Sequence, residues 1–338
     1  MHLQNNEQQY QISLQAQTNY KVIDHNQKEQ LAKLSGQLLQ EGLRPAVGDY
    51  VIGLPQPDFI LIKQILPRKS VLQRQNFGDN QQAQVIAANL DHIFITMSLN
   101  QDFNLARLDR YLTLVWDSGA NPVIVLTKAD LIAADLLAER RAQVAATAFG
   151  VPVLVTEQDR PEQVQTIFAP YLTPQQNVAF VGSSGVGKST LVNLLQQETT
   201  IKTKTVRADD DKGRHTTTTR ALYVLPNGAK IIDTPGIRSV GVAGVSQTAT
   251  DQSFQDIATL AQQCRFNDCQ HQTEPGCAVK AAIAAGQLAP GRLASYQKLQ
   301  IEVQYAGLNS RQIGQLKIER MLKDVGGVKG LKKTLKKK

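Results

Sequence analysis

The sequence predicts a multidomain α/β protein, and three patterns along the chain carry this prediction. Short apolar segments separated by Gly, Pro and Asp turns predict an N-terminal β-barrel. Buried strands then alternate with amphipathic helices, which predicts a mostly parallel sheet with helices on both faces. A cluster of cysteines and a histidine follows, in a C-terminal part that is predicted to be helical. We place the three parts at residues 1–86, 87–245 and 246–338.

The first part consists of short predicted strands. Its apolar segments lie at 10–14, 20–23, 44–53, 59–65 and 70–72. A set of this kind favours a small barrel of the OB-fold type. Arg68, Lys69 and Arg74 cluster beside the last segment. Their charges either meet RNA phosphates or form a solvated strand edge that resists aggregation, and the sequence leaves both interpretations open.

The second part alternates between strand and helix patterns. Predicted strands lie at 92–97, 122–126, 151–155 and 178–181, and predicted helices at 107–116, at 131–149 and after Lys188. This rhythm predicts a parallel sheet covered on both faces, because each crossover helix must pack against the strands that it connects.

The segment from Gly182 to Ser189 fits G-x-x-x-x-G-K-[ST], the phosphate-binding loop. Its glycines let successive backbone N–H groups converge on phosphate oxygens at a helix N-terminus. Lys188 would neutralise the β- and γ-phosphates, and Ser189 would place its hydroxyl on Mg²⁺. An ordinary strand–turn–helix corner is the alternative, but the required strand and helix flank the motif. The loop residues predicted to contact nucleotide are Gly182, Ser183, Ser184, Gly185, Val186, Gly187, Lys188, Ser189 and Thr190.

A second nucleotide motif, Thr127-Lys128-Ala129-Asp130, follows the strand at 122–126. It is similar to the guanine-specificity motif N-K-x-D, whose Asp accepts two hydrogen bonds from guanine N1–H and N2–H₂. Adenine has no such donors there, so ATP would leave buried polar groups unpaired. Thr127 stands where Asn is usual; its hydroxyl can brace the phosphate loop, but it has no amide.

Two further segments complete the predicted phosphate site. Asp233 and Gly236 end an apolar strand, where Asp233 would support Mg²⁺ through a water and the Gly236 amide would face the γ-phosphate. The Asp- and Thr-rich segment 206–220 has no hydrophobic periodicity, which indicates a switch loop that γ-phosphate and Mg²⁺ order. Thr217 is the predicted switch ligand of Mg²⁺. A disordered polar linker is the alternative.

The order of these motifs differs from that of ordinary GTPases. There the phosphate loop comes first and the guanine motif last, whereas here Asp130 precedes Gly182. The order therefore predicts a circularly permuted nucleotide-binding domain, with the C-terminal part attached directly after the second switch region.

The C-terminal part begins with a metal-ligand pattern. Cys264, Cys269, His271 and Cys277 supply three thiolates and an imidazole, a complete tetrahedral set for one structural Zn²⁺. Every cysteine of the chain lies in this cluster, which disfavours a disulfide framework or incidental burial. A lysine-rich stretch, 329–338, follows and is predicted to be disordered or to reach RNA.

Composition adds bounds to this interpretation. The net charge is +8, which suggests a polyanionic partner but identifies none. The polar N-terminus predicts no signal peptide, and no apolar run is long enough to span a bilayer. We therefore expect a cytoplasmic protein that contacts no membrane.

Taken together, the motifs closely resemble those of the RsgA (YjeQ/YloQ) family of bacterial GTPases. The most specific segments are 182–189, 213–218, 233–238 and the zinc set with 274–279. The resemblance implies a GTPase of small-ribosomal-subunit assembly that binds GTP and GDP with Mg²⁺ and is stimulated by the subunit. It also implies that the barrel and the zinc module contact ribosomal RNA. We expect a monomer.

The sequence lacks the glutamine that orients the attacking water in many GTPases. Ile237 stands where many GTPases have a glutamine, so we name His215, in the switch loop, as the hypothetical catalytic residue beside Lys188 and Thr217. A surface histidine is the alternative. The loop after Val155 also departs from the family, because Thr156 stands where a Ser-Ala-type guanine loop is usual.

Two other functions remain possible at this point. The first is an RNA-binding protein whose nucleotide site sets its conformation without significant turnover. The second is a P-loop ATPase or kinase, which Asp130 disfavours because its carboxylate matches guanine.

Overall fold

The structure is a computed structural model that describes residues 6–16, 19–74, 84–196, 220–233, 244–305, 308, 311–316 and 318. Within these ranges it confirms the predicted fold class: a barrel, a mostly parallel α/β sheet and C-terminal helices. Among the described residues, none of the helices combines the length and the apolar character that crossing a membrane requires.

The N-terminal barrel has five strands and one short helix. These elements are β1 (Gln8–Gln15), β2 (Tyr20–Ile23), β3 (Glu29–Leu34), α1 (Gly36–Gln40), β4 (Tyr50–Pro55) and β5 (Ile60–Ile65). The strands pair in the order β1-β2-β3-β5-β4, and pairing of β1 with β4 closes the barrel. Alternate residues such as Ile12, Val22 and Ile62 are fully buried, so the predicted strand pattern is the pattern of the barrel core.

A two-stranded hairpin links the barrel to the central sheet. It consists of β6 (Val71–Arg74) and β7 (Gln84–Ala88), which crosses the domain boundary that we predicted after residue 86. Arg68 binds both carboxylate oxygens of Asp49, at 2.7 and 2.6 Å, and Lys69 binds Asp91 at 2.5 Å. Both cations therefore hold this region together, a structural use that neither sequence interpretation included.

In the part of the chain that the structure describes, the central sheet has five parallel strands and one antiparallel strand. The strands are β8 (His92–Ser98), β9 (Asn121–Thr127), β10 (Val153–Val155), β11 (Asn177–Val181), β12 (Arg220–Val224) and β13 (Lys230–Asp233). They lie in the order β10-β9-β8-β11-β13-β12, with only β12 antiparallel to its neighbour within this described set. The crossover helices are α2 (Leu105–Ser118), α3 (Ala134–Thr147), α4 (Gln163–Phe168) and α5 (Lys188–Gln196).

The two faces of the sheet bury different helices. Ile93 and Ile95 of β8 belong to the cluster that packs α2 and α3, whereas Phe94 belongs to the cluster of α4 and α5. Successive side chains of a strand point to opposite faces, so a continuous apolar run is what a doubly covered sheet needs. This confirms the parallel, doubly covered sheet that the sequence predicted.

The barrel and the central sheet are hydrogen-bonded to each other. Strand β12 pairs antiparallel with β1, with Leu14 opposite Ala221 and Gln15 opposite Arg220. The result is one eleven-stranded sheet in which the barrel continues the central strands. The sequence analysis did not anticipate this connection.

The C-terminal helices are α6 (Gln247–Ser253), α7 (Gln255–Ala261), α8 (Ala278–Ala284) and α9 (Pro290–Val303). They share a small core that includes Phe254, Ile257, Val279 and Leu299. The cysteine cluster lies in the loop between α7 and α8, and α6 and α9 pack against α2 of the central domain.

Candidate functional site

The phosphate-loop segment lies where the central strand β11 ends and α5 begins. Gly182, Gly185 and Gly187 have φ values of +144°, +76° and +104°, a region that favours glycine. A Cβ added at Gly182 would lie 2.2 Å from the Thr96 carbonyl oxygen of the neighbouring strand. The first motif glycine is therefore required by both its backbone angle and the close approach of β8.

The Lys188 amine lies folded back over this loop. Its Nζ donates to the carbonyl oxygens of Gly182 and Ser183, at 2.8 and 2.5 Å. Of the other loop residues, Val186 is buried beneath the turn, whereas Ser184, Ser189 and Thr190 are exposed. The loop thus presents its hydroxyls to solvent and keeps its lysine beside them, as a phosphate site requires.

Two side chains of the guanine motif attach it to the phosphate loop. The Thr127 hydroxyl donates to the carbonyl oxygen of Val186 at 2.7 Å, and the Lys128 amine donates to that of Gly185 at 2.9 Å. Thr127 is buried, and Lys128 has a left-handed backbone with φ +61°. The hydroxyl of Thr127 therefore makes a brace of the kind expected from the residue that occupies the position of the usual Asn.

The Asp130 carboxylate is exposed and has a fixed orientation. Its Oδ1 accepts the backbone N–H of Gln158 at 2.9 Å, while Ala129 N–H donates to the Thr156 carbonyl at 3.2 Å. The loop 156–158, whose sequence differs from the family pattern, therefore lies directly against the guanine motif. Sequence reasoning considered Thr156 and missed Gln158, because a backbone donor leaves no residue-type signal.

Asp233 ends the strand beside the phosphate loop. Strand β13 runs parallel to β11, with Ile232 opposite Ala179, so the carboxyl ends of both strands meet at one edge of the sheet. The predicted residues Gly236, His215, Thr217 and Ile237 lie outside the described residues.

The predicted zinc ligands converge in the structure. The ligand atoms of Cys264, Cys269, His271 and Cys277 all lie within 4.8 Å of one another. The Sγ atoms of Cys264 and Cys277 are 3.9 Å apart, and His271 Nδ1 lies 3.7 and 3.4 Å from them. Tetrahedral Zn²⁺ places two thiolates about 3.8 Å apart, and a thiolate and an imidazole about 3.6 Å apart. The cluster therefore fits one zinc ion.

Surrounding groups orient these ligands. Glu274 accepts the backbone N–H groups of Gln270 and Gln272, at 2.9 and 2.7 Å, on either side of His271. Hydrogen bonds from backbone N–H groups lower the pKa of Glu274. Burial lowers the pKa of His271, which favours the neutral imidazole that binds a metal. His271 has a φ of +57°, a conformation that the turn imposes on the chain.

A parallel sheet, a phosphate loop at its central strand and a preceding guanine motif define a circularly permuted P-loop nucleotide-binding protein. The RsgA GTPase family model matches residues 65–243. The chain belongs to this family.

Curated relatives match over most of the chain. One from Lactiplantibacillus plantarum, named small ribosomal subunit biogenesis GTPase RsgA 2, is 50% identical over 311 residues, covering 90% of this chain and 86% of the relative. An RsgA of Methanosarcina acetivorans is 44% identical, covering 86% and 78% of the two chains.

Solved structures share the fold. YjeQ from Thermotoga maritima superposes with a TM-score of 0.70 at 25% identity, covering 88% of this chain and 98% of that one. YloQ, described as a circularly permuted GTPase, has a TM-score of 0.63 at 23% identity, covering 90% and 97%, and supports the fold.

Proposed function

We propose that this protein binds the small ribosomal subunit and hydrolyses GTP to GDP and phosphate during late subunit maturation, with the subunit stimulating hydrolysis. The observation that carries the proposal is the direct bond from Thr127 of the guanine motif to Val186 of the phosphate loop. It joins base recognition to phosphate binding in a chain that is 50% identical to a relative named for small-ribosomal-subunit biogenesis.

In the proposed nucleotide site, the guanine motif binds the base and the phosphate loop binds the phosphates. Asp130 accepts the guanine donors, and the Gln158 N–H holds its carboxylate in position. Lys188 exchanges its carbonyl partners for phosphate oxygens. Ser189 and Thr217 would hold Mg²⁺, with Asp233 as a further support, and the ion would neutralise phosphate charge. The Gly236 amide would face the γ-phosphate.

The hydrolytic step requires a group that orients water. Ile237 has no hydrogen-bonding side chain, so we propose His215 for this role. A His215→Ala variant is expected to bind the small subunit normally and to lose stimulated turnover. An unchanged stimulated rate with normal binding would remove His215 from the mechanism.

The remaining parts serve binding. The four ligand atoms lie close enough together to hold one zinc ion. The ion would have a structural role, because four protein ligands would fill a tetrahedral shell and leave no position open for a substrate. The barrel and the zinc module contact ribosomal RNA, and the protein acts as a cytoplasmic monomer without membrane contact.

Co-sedimentation with small and large ribosomal subunits in GTP, GDP and a non-hydrolysable GTP analogue tests this proposal. Preferential binding to the small subunit with the analogue, together with multiple-turnover hydrolysis that rises as subunits are added, is expected. Preference for the large subunit would contradict it. Binding without stimulated turnover would favour the nucleotide-switched RNA-binding protein, and equal affinity for ATP and GTP would favour the ATPase.

A further inference from the structure

Phe266 is an exposed aromatic residue at the tip of the cysteine loop. The residue retains 41% of its accessible surface, whereas Phe94, Phe168, Phe180 and Phe254 are buried in the cores. The Arg265 guanidinium lies over its ring, 5.5 Å from the centroid. A cation beside an exposed ring is a pairing suited to a ligand with both an aromatic face and a negative charge.

The loop holds Phe266 in place from both sides. Cys264 and Cys269, two of the zinc ligands, flank the tip. The Phe266 carbonyl accepts the Cys269 N–H at 3.3 Å, and the Arg265 N–H donates to the Gly276 carbonyl at 3.1 Å. Gly276 has φ +73°, and the Arg265 side chain packs closely against it. A Cβ added at Gly276 would lie 3.0 Å from Arg265 Cβ. The two hydrogen bonds hold the backbone on both sides of Phe266, so little backbone entropy is lost when a partner binds the ring.

We propose that Phe266 is a stacking platform for one unpaired RNA base, with the Arg265 guanidinium directed to an adjacent phosphate. The inference rests on the proposed function, which supplies RNA as the partner, and assigns one contact within it. Any unpaired base can stack on an aromatic side chain, because every base has an aromatic face. An adjacent arginine can bind a phosphate of the RNA backbone. The +8 net charge of the chain agrees with a polyanion over an acidic or neutral protein surface.

The first test measures binding of the full-length, zinc-loaded protein to small subunits with a non-hydrolysable GTP analogue. Phe266→Ala is expected to weaken binding roughly 5- to 100-fold, the usual range for a lost base stack, and to leave the salt dependence unchanged. Phe266→Trp is expected to retain binding. Phe149→Ala, which truncates a phenylalanine that is 83% exposed on the central domain, is the matched control and is expected to bind normally. Zinc content and subunit-independent GTP hydrolysis are expected to stay unchanged in Phe266→Ala.

A fluorescence measurement identifies what covers the ring. The chain has one tryptophan, Trp116, so the emission that Phe266→Trp adds is obtained by subtracting the wild-type signal. Stacking on a base is expected to quench this added emission when subunits bind. If Phe266→Ala binds small subunits as tightly as the wild type, the inference is overturned and the proposed function stays intact. If the wild-type protein does not bind small subunits, the proposed function is overturned. Weaker binding of Phe266→Ala with unquenched Phe266→Trp emission would assign the ring to a protein surface and also overturn base stacking.

Discussion

The central sheet is joined to its two neighbours by different chemistry. Toward the barrel, the sheet is continuous, and buried side-chain amides join β1 to β11 and to the segment before β8. Gln11 Nε2 donates to Asn177 Oδ1 at 3.1 Å, and Asn177 Nδ2 donates to the Asn89 carbonyl at 2.8 Å. The Lys230 amine donates to Gln11 Oε1 at 2.7 Å. We call Gln11, Asn89 and Asn177 the amide network.

Toward the C-terminal helices, the junction is ionic. Arg292 of α9 binds Asp109 of α2 at 2.5 Å and Asp256 of α7 at 2.9 Å, and donates to the Ser253 carbonyl at 2.7 Å. Its guanidinium also lies 4.2 Å from the Phe254 ring centroid. The side chains of Arg292 and Asp109 are 9% and 3% exposed, so these charges depend on each other. We call Arg292, Asp109 and Asp256 the ionic junction.

The contrast indicates how the barrel and the C-terminal helices respond to displacement and to denaturing conditions. Backbone pairing and buried amides make the barrel an extension of the sheet, so a displacement of the barrel reaches β12 and β13 directly. The C-terminal helices are held by side-chain charges, whose balance changes with protonation. We therefore expect the C-terminal helices to separate from the central domain first in heat or urea, and more readily as the pH rises through 6 than at acid pH.

The largest effect is expected from Arg292→Met. Removing the guanidinium leaves the Asp109 carboxylate buried without its cation, which costs about 3–5 kcal/mol of unfolding free energy. Trp116 packs against both the central core and the C-terminal core, so its fluorescence reports this junction. In urea titrations the Trp116 transition is expected to move to lower concentration than the circular dichroism transition. Arg141→Met, at an exposed position of α3, is the control. Coincident transitions, or a loss below about 1 kcal/mol, would show that the junction does not depend on this pair.

A smaller effect is expected from Asn177→Ala in the amide network. The substitution leaves Gln11 and the Asn89 carbonyl without their buried partner, at a cost of about 1–3 kcal/mol. Because no ionisable group is removed, the loss is expected to be the same at pH 5 and pH 7. Asn26→Ala, in an exposed turn of the barrel, is the control. Thermal or urea unfolding at both pH values measures the loss, and a strongly pH-dependent loss would show that the cost comes from a titrating group rather than from the lost amide hydrogen bonds.

Local sequence patterns predicted the parts of the site that depend on local geometry. Gly182 and Gly187 must adopt positive φ, and the four zinc ligands lie close together in sequence, so the chain carries these requirements in short motifs. Strands β8, β9, β10, β11 and β13 and helices α2, α3 and α5 followed from their apolar periodicity in the same way, whereas α4 and β12 were not predicted.

The two junctions left no such pattern. Arg292 and Asp109 are far apart in sequence, and charged residues on helices usually face solvent, so nothing marked them as buried partners. The pairing of Leu14 with Ala221 joins strand edges whose residues are ordinary in both segments. The Gln158 N–H that orients Asp130 belongs to the backbone and carries no side-chain signal at all.

The ionic junction also has a predicted pH dependence, of smaller size. Burial raises the pKa of Asp109 from 3.8 to about 6, against the lowering influence of Arg292. The folded protein therefore binds the proton more tightly than the unfolded chain. The stability that this adds is full below pH 3.8 and is lost as the pH rises through 6. Between pH 5 and 7, wild-type unfolding free energy is expected to fall by about 1.4 kcal/mol relative to Asp109→Asn.

Urea unfolding of both proteins across this pH range gives the comparison. Asp58→Asn, at an exposed turn of the barrel, is the control and is expected to follow the wild type. A difference between wild type and Asp109→Asn that stays constant from pH 5 to 7 would mean that Asp109 does not bind a proton in this range. The ionic junction would then be no more sensitive to pH than the amide network.

The smallest effect is expected at the edge of the same junction. Arg110 of α2 binds Glu302 of α9, but their side chains are 32% and 24% exposed, so water and salt screen the pair. Glu302→Gln keeps the shape and removes the charge, and is expected to cost less than about 1 kcal/mol, and less still in high salt. The same urea titration, followed through Trp116 at low and high salt, measures it. If Glu302→Gln loses as much unfolding free energy as Arg292→Met, the exposed pair stabilises the junction as strongly as the buried charges do. A small, salt-dependent loss assigns the stability of the junction to the buried charges.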